Sequence, residues 1–273
     1  MKISGTRFLV TGGTGFIGSG LVRGLLAAGA FVRSLDNDSR GARGRLASLK
    51  EHHGNKLELV DGDIRDAKAV AAATEGVDSV AHLAYVNGTE FFYSKPELVL
   101  EVAVKGMINV LDACEEHGVR DVVLASSSEV YQTPPSVPTD ESAPLSVPDV
   151  LNPRYSYGGG KIISELLAIN YGRKKLDRVT IFRPHKCVST RRSPSPSFTP
   201  AISRFDVGIM AIRFTTAPLP SLGTTPASIP WRRITISSRA SSVCCSASTA
   251  TCTPSTRRWQ RCDISRRKSA ALG

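Results

Sequence analysis

A doubly wound α/β fold is predicted for residues 1–185 of this 273-residue chain, and three observations predict it. Short apolar runs alternate with amphipathic stretches along the whole segment. A glycine-rich segment joins the first run to the first amphipathic stretch, and an acidic residue ends the second run. Such alternation is typical of a parallel sheet covered by helices on both faces. Because crossover connections are right-handed, we expect the strand order 3-2-1-4-5-6, with ligands at the carboxyl ends of the strands.

The individual elements follow from this alternation, taken in chain order. Short runs of mainly apolar and β-branched residues predict strands, and longer stretches with one apolar face predict helices. The sequences RFLV, FVRSL, LELV, SVAHL, DVVLA and RVTIF supply the strands at residues 7–10, 31–35, 57–60, 79–83, 121–125 and 178–182. The predicted helices comprise residues 17–28, 66–73, 96–117 and 155–173.

The segment TGGTGFIG connects the first strand to the first helix with the spacing Gly-x-x-Gly-x-x-Gly. Gly12 permits a tight turn, Gly15 lets the backbone approach a pyrophosphate, and Gly18 lets helix and strand pack closely. Phe16 and Ile17 open the helix, whose N-terminal amides and dipole favour an anion. In this strand-turn-helix context, the spacing predicts a dinucleotide-binding site of the Rossmann type.

Asp36 ends the second strand, 18 residues after Gly18. A carboxylate at this place can accept hydrogen bonds from both ribose hydroxyls of an adenosine. A 2′-phosphate would meet a like charge, so Asp36 favours NAD over NADP as the cofactor. Arg33 and Arg40 lie near enough in the sequence to keep NADP as an alternative.

Two further pairs of residues are predicted to line the cofactor cleft. Asp63 and Ile64 follow the third strand and are expected beside the adenine, with an ordinary loop carboxylate as the alternative for Asp63. Leu83 and Ala84 end the fourth strand, at the edge of the sheet where ligands bind. His82, directly before them, is interpreted as a packed strand residue rather than as a catalyst.

Tyr157 and Lys161 lie four residues apart, on one face of a predicted helix. A lysine ammonium beside a phenol favours the phenolate, which can exchange protons with a sugar hydroxyl. An isolated Tyr-x-x-x-Lys pattern also occurs as an exposed helical pair. The Tyr-x-x-x-Lys pattern therefore indicates a catalytic pair only in combination with other motifs of the chain.

The motifs TGGTGFIG, HLA, SSSEVY and Tyr-x-x-x-Lys, in this order and spacing, resemble those of the extended short-chain dehydrogenase/reductases, in the nucleotide-sugar epimerase/dehydratase group. The likeness covers residues 1 to about 185. It implies an NAD-dependent enzyme in which Tyr157 is the base on a sugar hydroxyl. Lys161 then holds the ribose and favours the phenolate, and Ser127 hydrogen-bonds the reacting oxygen. The Val130-Tyr131 pair sets the register that places Ser127.

Ser128 and Glu129 bear on which reaction the resemblance implies. The 4,6-dehydratases of the group carry Asp-Glu at these positions, and Ser128 cannot supply that acid. Two enzymes remain: a 4-epimerase acting on a UDP-hexose, and a decarboxylase of a nucleotide-linked uronic acid, which uses a similar Thr-Ser-Glu triplet. Glu129 is a candidate catalytic residue, with a surface carboxylate as the alternative. A non-catalytic NAD- or nucleic-acid-binding protein is the alternative from another class.

The resemblance also shows a departure and implies a partner. The Asn that the group often carries in its long helix is replaced by Ala103. Residues 85–89 are expected to form the first substrate loop, for a nucleotide-sugar substrate. Members of the group commonly dimerise through two helices, which implies a homodimer through the helices that hold residues 98–114 and 161–171.

Charge and cysteine content divide the chain into two parts. Residues 1–185 hold 21 Lys and Arg against 22 Asp and Glu, whereas residues 186–273 hold 14 against 2. Cys114 is expected as a buried free thiol, and the other five cysteines follow residue 185 without a Cys-x-x-Cys pair, so we expect no metal site. With no run of 18 apolar residues and no cleavable signal, we expect a soluble cytoplasmic protein without a membrane partner.

Residues 186–273 form a basic segment rich in Ser, Thr, Pro and Arg, without sustained helical or strand periodicity. They stand where the resemblance implies a substrate domain. One interpretation is a disordered basic tail that binds RNA or membranes, although it has no RGG, SR or lysine-run regularity. The sharper hypothesis is a shift of the reading frame near residue 186, which makes the segment an out-of-frame remnant of the substrate domain.

The genetic code allows the frame-shift hypothesis to be checked against the protein sequence. Cys and Trp codons begin with TG, so when they are read one nucleotide earlier they become Leu, Met or Val, and Cys245 becomes Leu whichever codon is used. Residues 235–256 can then be read as YDIVEGVLxVLLxEHGDLHTIY, which resembles the substrate domain of the same group. We therefore expect a chain that keeps the cofactor half and the catalytic set but binds NAD weakly or not at all and turns over no sugar.

Overall fold

The protein is described by a computed structural model that covers residues 3–136 and 139–184 and the backbone of residues 211–215. The strands are β1 (Arg7–Thr11), β2 (Phe31–Asp36), β3 (Leu57–Asp61), β4 (Ser79–His82), β5 (Asp121–Ala125), β6 (Arg178–Phe182) and β7 (Ala211–Thr215). The helices are α1 (Phe16–Ala27), α2 (Gly44–His53), α3 (Ala67–Thr74), α4 (Thr89–Ser94), α5 (Pro96–Glu116) and α6 (Ser156–Lys175).

The strands form one sheet in the order β3-β2-β1-β4-β5-β6-β7. The first six strands in this order are parallel, and β7 pairs antiparallel with β6. The predicted Rossmann-type order 3-2-1-4-5-6 is therefore confirmed, and each predicted strand boundary agrees to within one residue. Because the strands are parallel, their carboxyl ends meet at one edge of the sheet.

The two faces of the sheet carry two separate hydrophobic cores. Strand side chains alternate between them, as the pleat requires. Leu9 and Leu124 belong to the core that includes residues of α3, α5 and α6. Phe8 and Val10 belong to the core that includes residues of α1 and α2. The fold is thus a three-layer structure, and it holds the start of α6 beside the end of β5.

The structure contains elements that the periodicity did not predict. Helices α2 and α4 are short and bury few side chains, among them Leu46, Leu49 and Phe92. So few buried positions leave a weak helical period. Strand β7 lies in the segment for which no strand was expected. The frame-shift hypothesis and the rest of residues 186–273 lie outside the described residues.

Two observations bear on membranes and metals. Of the helices in the described part of the chain, none has both the length and the apolar character that a membrane span needs. Within the same residues, no three His, Cys, Asp or Glu side chains cluster in a way that could hold a metal ion. Cys114 is buried as a free thiol, and burial raises its pKa to about 12.

Candidate active site

A cleft opens at the carboxyl ends of β1, β2 and β4, where the sequence predicts the cofactor. The predicted residues that line it are Gly12, Gly15, Asp36, Asp63, Ile64, Leu83 and Ala84. Arg40, which keeps NADP as an alternative in the sequence analysis, also lines the cleft, together with residues that were not predicted there, including Asn37, Tyr85 and Val102. Two elements that the sequence places far apart, the loop after β2 and helix α5, therefore contribute to one site.

The glycine-rich loop passes so close to its neighbours that side chains would collide. Gly12 has a φ of +73°, and a Cβ atom there would lie 2.6 Å from the backbone nitrogen of Ala84. A Cβ on Gly18 would lie 2.0 Å from the carbonyl oxygen of Gly12, in keeping with the predicted close packing of helix and strand. Phe16 and Ile17 expose 50% and 36% of their surface, so their contribution is the N-terminus of α1 rather than their side chains.

Asp36 is oriented by the backbone of two loops. One of its carboxylate oxygens accepts a hydrogen bond from the Thr14 N–H at 3.0 Å, and the other accepts from the Asp38 N–H at 2.9 Å. The Thr14 hydroxyl in turn donates to Asp38 at 2.7 Å. A carboxylate has about four acceptor positions, so Asp36 keeps capacity for the two hydroxyls of a ribose.

Asp63 is held by Arg65 and Asn37. The Arg65 guanidinium donates to Asp63 at 2.8 Å and to Glu101 of α5 at 2.8 Å, and the Asn37 amide donates to Asp63 at 3.0 Å. The hydrogen bonds from Arg65 lower the pKa of Asp63, which keeps this carboxylate ionised at neutral pH. Asp63 therefore lines the cleft in a fixed orientation, and its place beside the adenine stays a prediction.

His82 lies in the core at the end of β4. Its Nδ1 atom is 2.8 Å from the Thr11 hydroxyl oxygen, which also accepts the N–H groups of Leu83 and Ala84 at 3.2 Å. Burial, followed by repulsion from Lys161, lowers the pKa of His82 to about 3. A neutral, buried imidazole that shapes the end of a strand agrees with its interpretation as a packed residue.

Ser127 follows β5 and caps the short 3-10 helix Ser128–Val130. Its hydroxyl oxygen accepts a hydrogen bond from the Glu129 N–H at 3.2 Å. The turn is tied to the end of β6 on both sides, because Ser126 N–H donates to the Phe182 carbonyl and Ser128 N–H donates to the Pro184 carbonyl. Ser127 thus has a defined position at the carboxyl edge of the sheet.

Tyr157 and Lys161 lie in the first turns of α6, and both are buried. Tyr157 packs between Tyr85 and Phe92, each with a ring centroid 5.1 Å from its own. The Lys161 ammonium donates to the Ala125 carbonyl at 2.7 Å and lies 5.9 Å from the centre of the Tyr157 ring. Burial lowers the pKa of Lys161 to about 7, and Glu165 opposes this shift.

The start of α6 lies directly against the Ser127 turn. A Cβ on Gly158 would be 3.2 Å from the carbonyl oxygen of Glu129. Lys161 reaches Ala125, two residues before Ser127, through the hydrogen bond just described. The structure therefore brings Ser127, Glu129, Tyr157 and Lys161 into one region, next to the cleft that holds the predicted cofactor residues.

A buried ion pair behind this region was not predicted. Arg183 donates to both carboxylate oxygens of Glu165, at 2.9 and 2.6 Å, and the Ser126 hydroxyl donates to the same carboxylate. Arg183 also donates to the Tyr131 hydroxyl. Removal of one partner of a buried ion pair strongly destabilises a fold, because the other charge is left buried without compensation. The only signal in the sequence is the spacing of Glu165, one helical turn after Lys161.

The fold and cleft define the class of dinucleotide-binding α/β proteins. The residues present fit a dinucleotide, because the glycine loop leaves a cradle that Cβ atoms would fill and Asp36 retains acceptor capacity for a ribose. Comparison with known proteins narrows this class. A model of the NAD dependent epimerase/dehydratase family matches residues 8–213. The chain belongs to this family, and it is an enzyme by family with NAD as the cofactor.

Two curated relatives and a solved structure are similar to part of the chain. UDP-glucose 4-epimerase 2 of Oryza sativa is 35% identical over 58% of this chain and 38% of its own length, and UDP-glucose 4-epimerase of Mycolicibacterium smegmatis is 38% identical over 59% and 49%. The structure of the dTDP-glucose 4,6-dehydratase of Streptomyces venezuelae, with NAD bound, is 36% identical with a TM-score of 0.58, over 64% of this chain and 54% of that one. The chain thus spans less than half the length of these two curated relatives.

Proposed function

We propose that this sequence derives from an NAD-dependent nucleotide-sugar 4-epimerase acting on a UDP-hexose. The observation that carries the proposal is the convergence of Ser127, Tyr157 and Lys161 beside the cofactor cleft. The similarity to UDP-glucose 4-epimerases supports the choice of reaction.

The proposed chemistry follows from the three side chains. Tyr157, as the phenolate, takes the proton from the sugar C4 hydroxyl and later returns it. Lys161 stabilises the phenolate by its charge and offers an N–H to a ribose hydroxyl. Ser127 donates a hydrogen bond to the reacting oxygen. NAD, when bound, would act as a reversible hydride acceptor. Because the sugar ketone can rotate in the site, either of its faces can be reduced.

A nucleotide-linked uronic acid decarboxylase is the second candidate. The observation that favours it is Glu129, whose N–H donates to the Ser127 hydroxyl oxygen, so this carboxylate belongs to the same turn as a proposed catalytic residue. Both candidates share oxidation at the sugar C4 position. They differ in the product, since a decarboxylase releases carbon dioxide and an epimerase does not.

We further propose that residues 1–185 form the NAD-binding domain and that residues 186–273 are an out-of-frame remnant of the substrate domain. The change of composition at residue 186 supports this division. The curated relatives match 58% and 59% of the chain, whereas the family model extends to residue 213 and strand β7 (Ala211–Thr215) joins the sheet, both beyond residue 186. The present chain is then expected to bind NAD weakly or not at all and to turn over no sugar.

The function is tested with a chain whose frame is restored by one nucleotide near codon 186. We expect it to interconvert UDP-galactose and UDP-glucose without net NADH, as measured by chromatography of the products. Tyr157→Phe is expected to lower the rate by about 10²- to 10⁴-fold, whereas Tyr93→Phe, at a half-exposed tyrosine, leaves it unchanged. Carbon dioxide release from a UDP-uronic acid would favour the decarboxylase. Salt-sensitive RNA binding without turnover would favour a non-catalytic protein.

We also propose a homodimer through α5 and α6. These two helices pack together and leave apolar side chains exposed: Leu100, Ile163 and Leu166. Burial of such residues against a second copy removes apolar surface from water. Light scattering of the purified chain is expected to give twice the mass of 29.2 kDa. A monomer mass at micromolar concentration excludes a dimer of this kind.

A further inference from the structure

Tyr85 is the residue that joins the cofactor cleft to the proposed catalytic pair. It lines the cleft, and its ring meets the Tyr157 ring edge-to-face with centroids 5.1 Å apart. The Lys161 ammonium lies 3.7 Å from the centre of the Tyr85 ring, closer than the 5.9 Å to the Tyr157 ring. A cation over an aromatic face at this distance is attracted by the negative charge of that face.

The geometry around Tyr85 shows which groups contact the Lys161 ammonium. An ammonium carries three N–H groups. One donates to the Ala125 carbonyl at 2.7 Å, and the face of Tyr85 covers the ammonium on another side. These two contacts fix the direction of the lysine ammonium. A lysine with a long flexible stem needs such contacts to hold one orientation.

The position of Tyr85 depends on two small residues. A Cβ on Gly160 would lie 2.3 Å from the Tyr85 hydroxyl oxygen and 2.8 Å from the Ala103 Cβ. Ala103 is the position at which the sequence departs from the Asn of related proteins. The Tyr85 hydroxyl donates to the Tyr157 carbonyl at 3.4 Å. The space between α5 and α6 that Gly160 and Ala103 leave is therefore filled by the phenol end of Tyr85.

We propose that Tyr85 is a positioning residue for Lys161, whose ammonium it holds through its ring face, and that Gly160 and Ala103 provide the room that this arrangement requires. The proposal deepens the proposed function, because it rests on Lys161 as the partner of Tyr157. Tyr85 acts through Lys161 and is not itself assigned a chemical step.

Two other titratable groups and a second aromatic ring lie near Lys161, but we do not assign the positioning of its ammonium to any of them. Glu165 lies one turn along α6, but its carboxylate is already bound by Arg183 and Ser126. His82 of β4 is neutral, because burial lowers its pKa to about 3. Tyr157 is the farther of the two aromatic rings. Since burial disfavours the charge of Lys161, the face of Tyr85 compensates this charge together with the Ala125 carbonyl and the carboxylate of Glu165.

The test is the titration of Lys161 in the full chain, without cofactor or sugar. Lysine labelled with ¹³C at the ε carbon gives an NMR resonance that Lys161→Met identifies by its loss. We expect Tyr85→Leu to lower the titration midpoint of Lys161 by about 0.5 to 1 pH unit, since the cation–π contact is lost. Tyr85→Phe, which keeps the ring, is the matched control and is expected to titrate like the parent chain. A midpoint in Tyr85→Leu that equals or exceeds that of Tyr85→Phe overturns the proposal.

A second variant tests the packing and guards against a Tyr85→Leu chain that does not fold. Gly160→Ala forces the Tyr85 hydroxyl away, so it is expected to lower the same midpoint by a similar amount. Combination with Tyr85→Phe removes the closer of the two atoms that a Cβ on residue 160 would meet and leaves the Ala103 Cβ at 2.8 Å, so it is expected to bring the midpoint part of the way back towards the parent value. If the double variant shows no recovery of the Lys161 midpoint, the proposed packing of Tyr85 against Gly160 is wrong. Because this readout needs no turnover, it can succeed or fail independently of the proposed reaction.

Discussion

Insertion of one nucleotide near codon 186 is expected to raise UDP-hexose epimerisation from an undetectable rate by on the order of 10³-fold or more. Contacts with the remote parts of a substrate hold its reacting carbon against the catalytic groups. Under our hypothesis, residues 1–185 contain the catalytic groups but not the residues that make these contacts. Read one nucleotide earlier, residues 235–256 regain acidic residues and a leucine-rich pattern that the present segment lacks. The measurement is the initial rate with UDP-galactose, for both chains at equal concentration.

Two controls distinguish the effect of the restored reading frame from other effects of the nucleotide insertion. A silent substitution at codon 186 leaves the tail as it is and is expected to leave the rate undetectable. Tyr157→Phe, added to the insertion, is expected to remove most of the gained activity. Sequencing of the coding DNA across codons 180 to 260 gives an independent answer. An intact frame would overturn the frame-shift hypothesis, and ordinary epimerase activity of the present chain would overturn the expectation that it turns over no sugar.

The parts of the fold that could be predicted are those whose signal is local. The spacing of Gly12, Gly15 and Gly18 predicts a loop that the structure contains, because a close turn and a helix start involve neighbours in sequence. Asp36 follows from the same logic, since it ends the strand next to that loop. The strand order needed only the alternation of strands and helices and the handedness of crossovers. These signals do not depend on side-chain packing between distant segments.

The parts that could not be predicted depend on contacts between distant segments. Tyr85 was expected only in a substrate loop, because nothing near it in sequence shows that Gly160, on another helix, leaves room for its hydroxyl. The Glu165–Arg183 pair joins α6 to the residue after β6, and each member alone resembles a surface charge. The glycines between Tyr157 and Lys161 likewise carried no interpretation until the structure placed Glu129 and Tyr85 against them.

The replacement of Lys161 by methionine is expected to stabilise the fold and to abolish the function. In the frame-restored chain, we expect turnover to fall by about 10²- to 10⁴-fold, because the phenolate of Tyr157 loses its cation. In the present chain, we expect the free energy of unfolding at pH 6 to increase by roughly 1–2 kcal/mol. The lysine is buried at 4% exposure, and the removal of its charge outweighs the loss of its hydrogen bond to Ala125.

The sign of the pH dependence distinguishes this charge effect from simple repacking. Lys161 titrates at about 7 in the folded chain, against an ordinary value of 10.5, so the unfolded chain binds more protons between these pH values. The cost of burying the charge is therefore fully present below pH 7 and is relieved as the pH rises towards 10.5. Urea unfolding followed by circular dichroism should show the advantage of Lys161→Met shrinking from pH 6 to pH 9. Lys105→Met, at an exposed lysine of α5, is the matched control without this trend. A gain that stays constant with pH would mean that packing, and not the buried ammonium, limits the stability of this site.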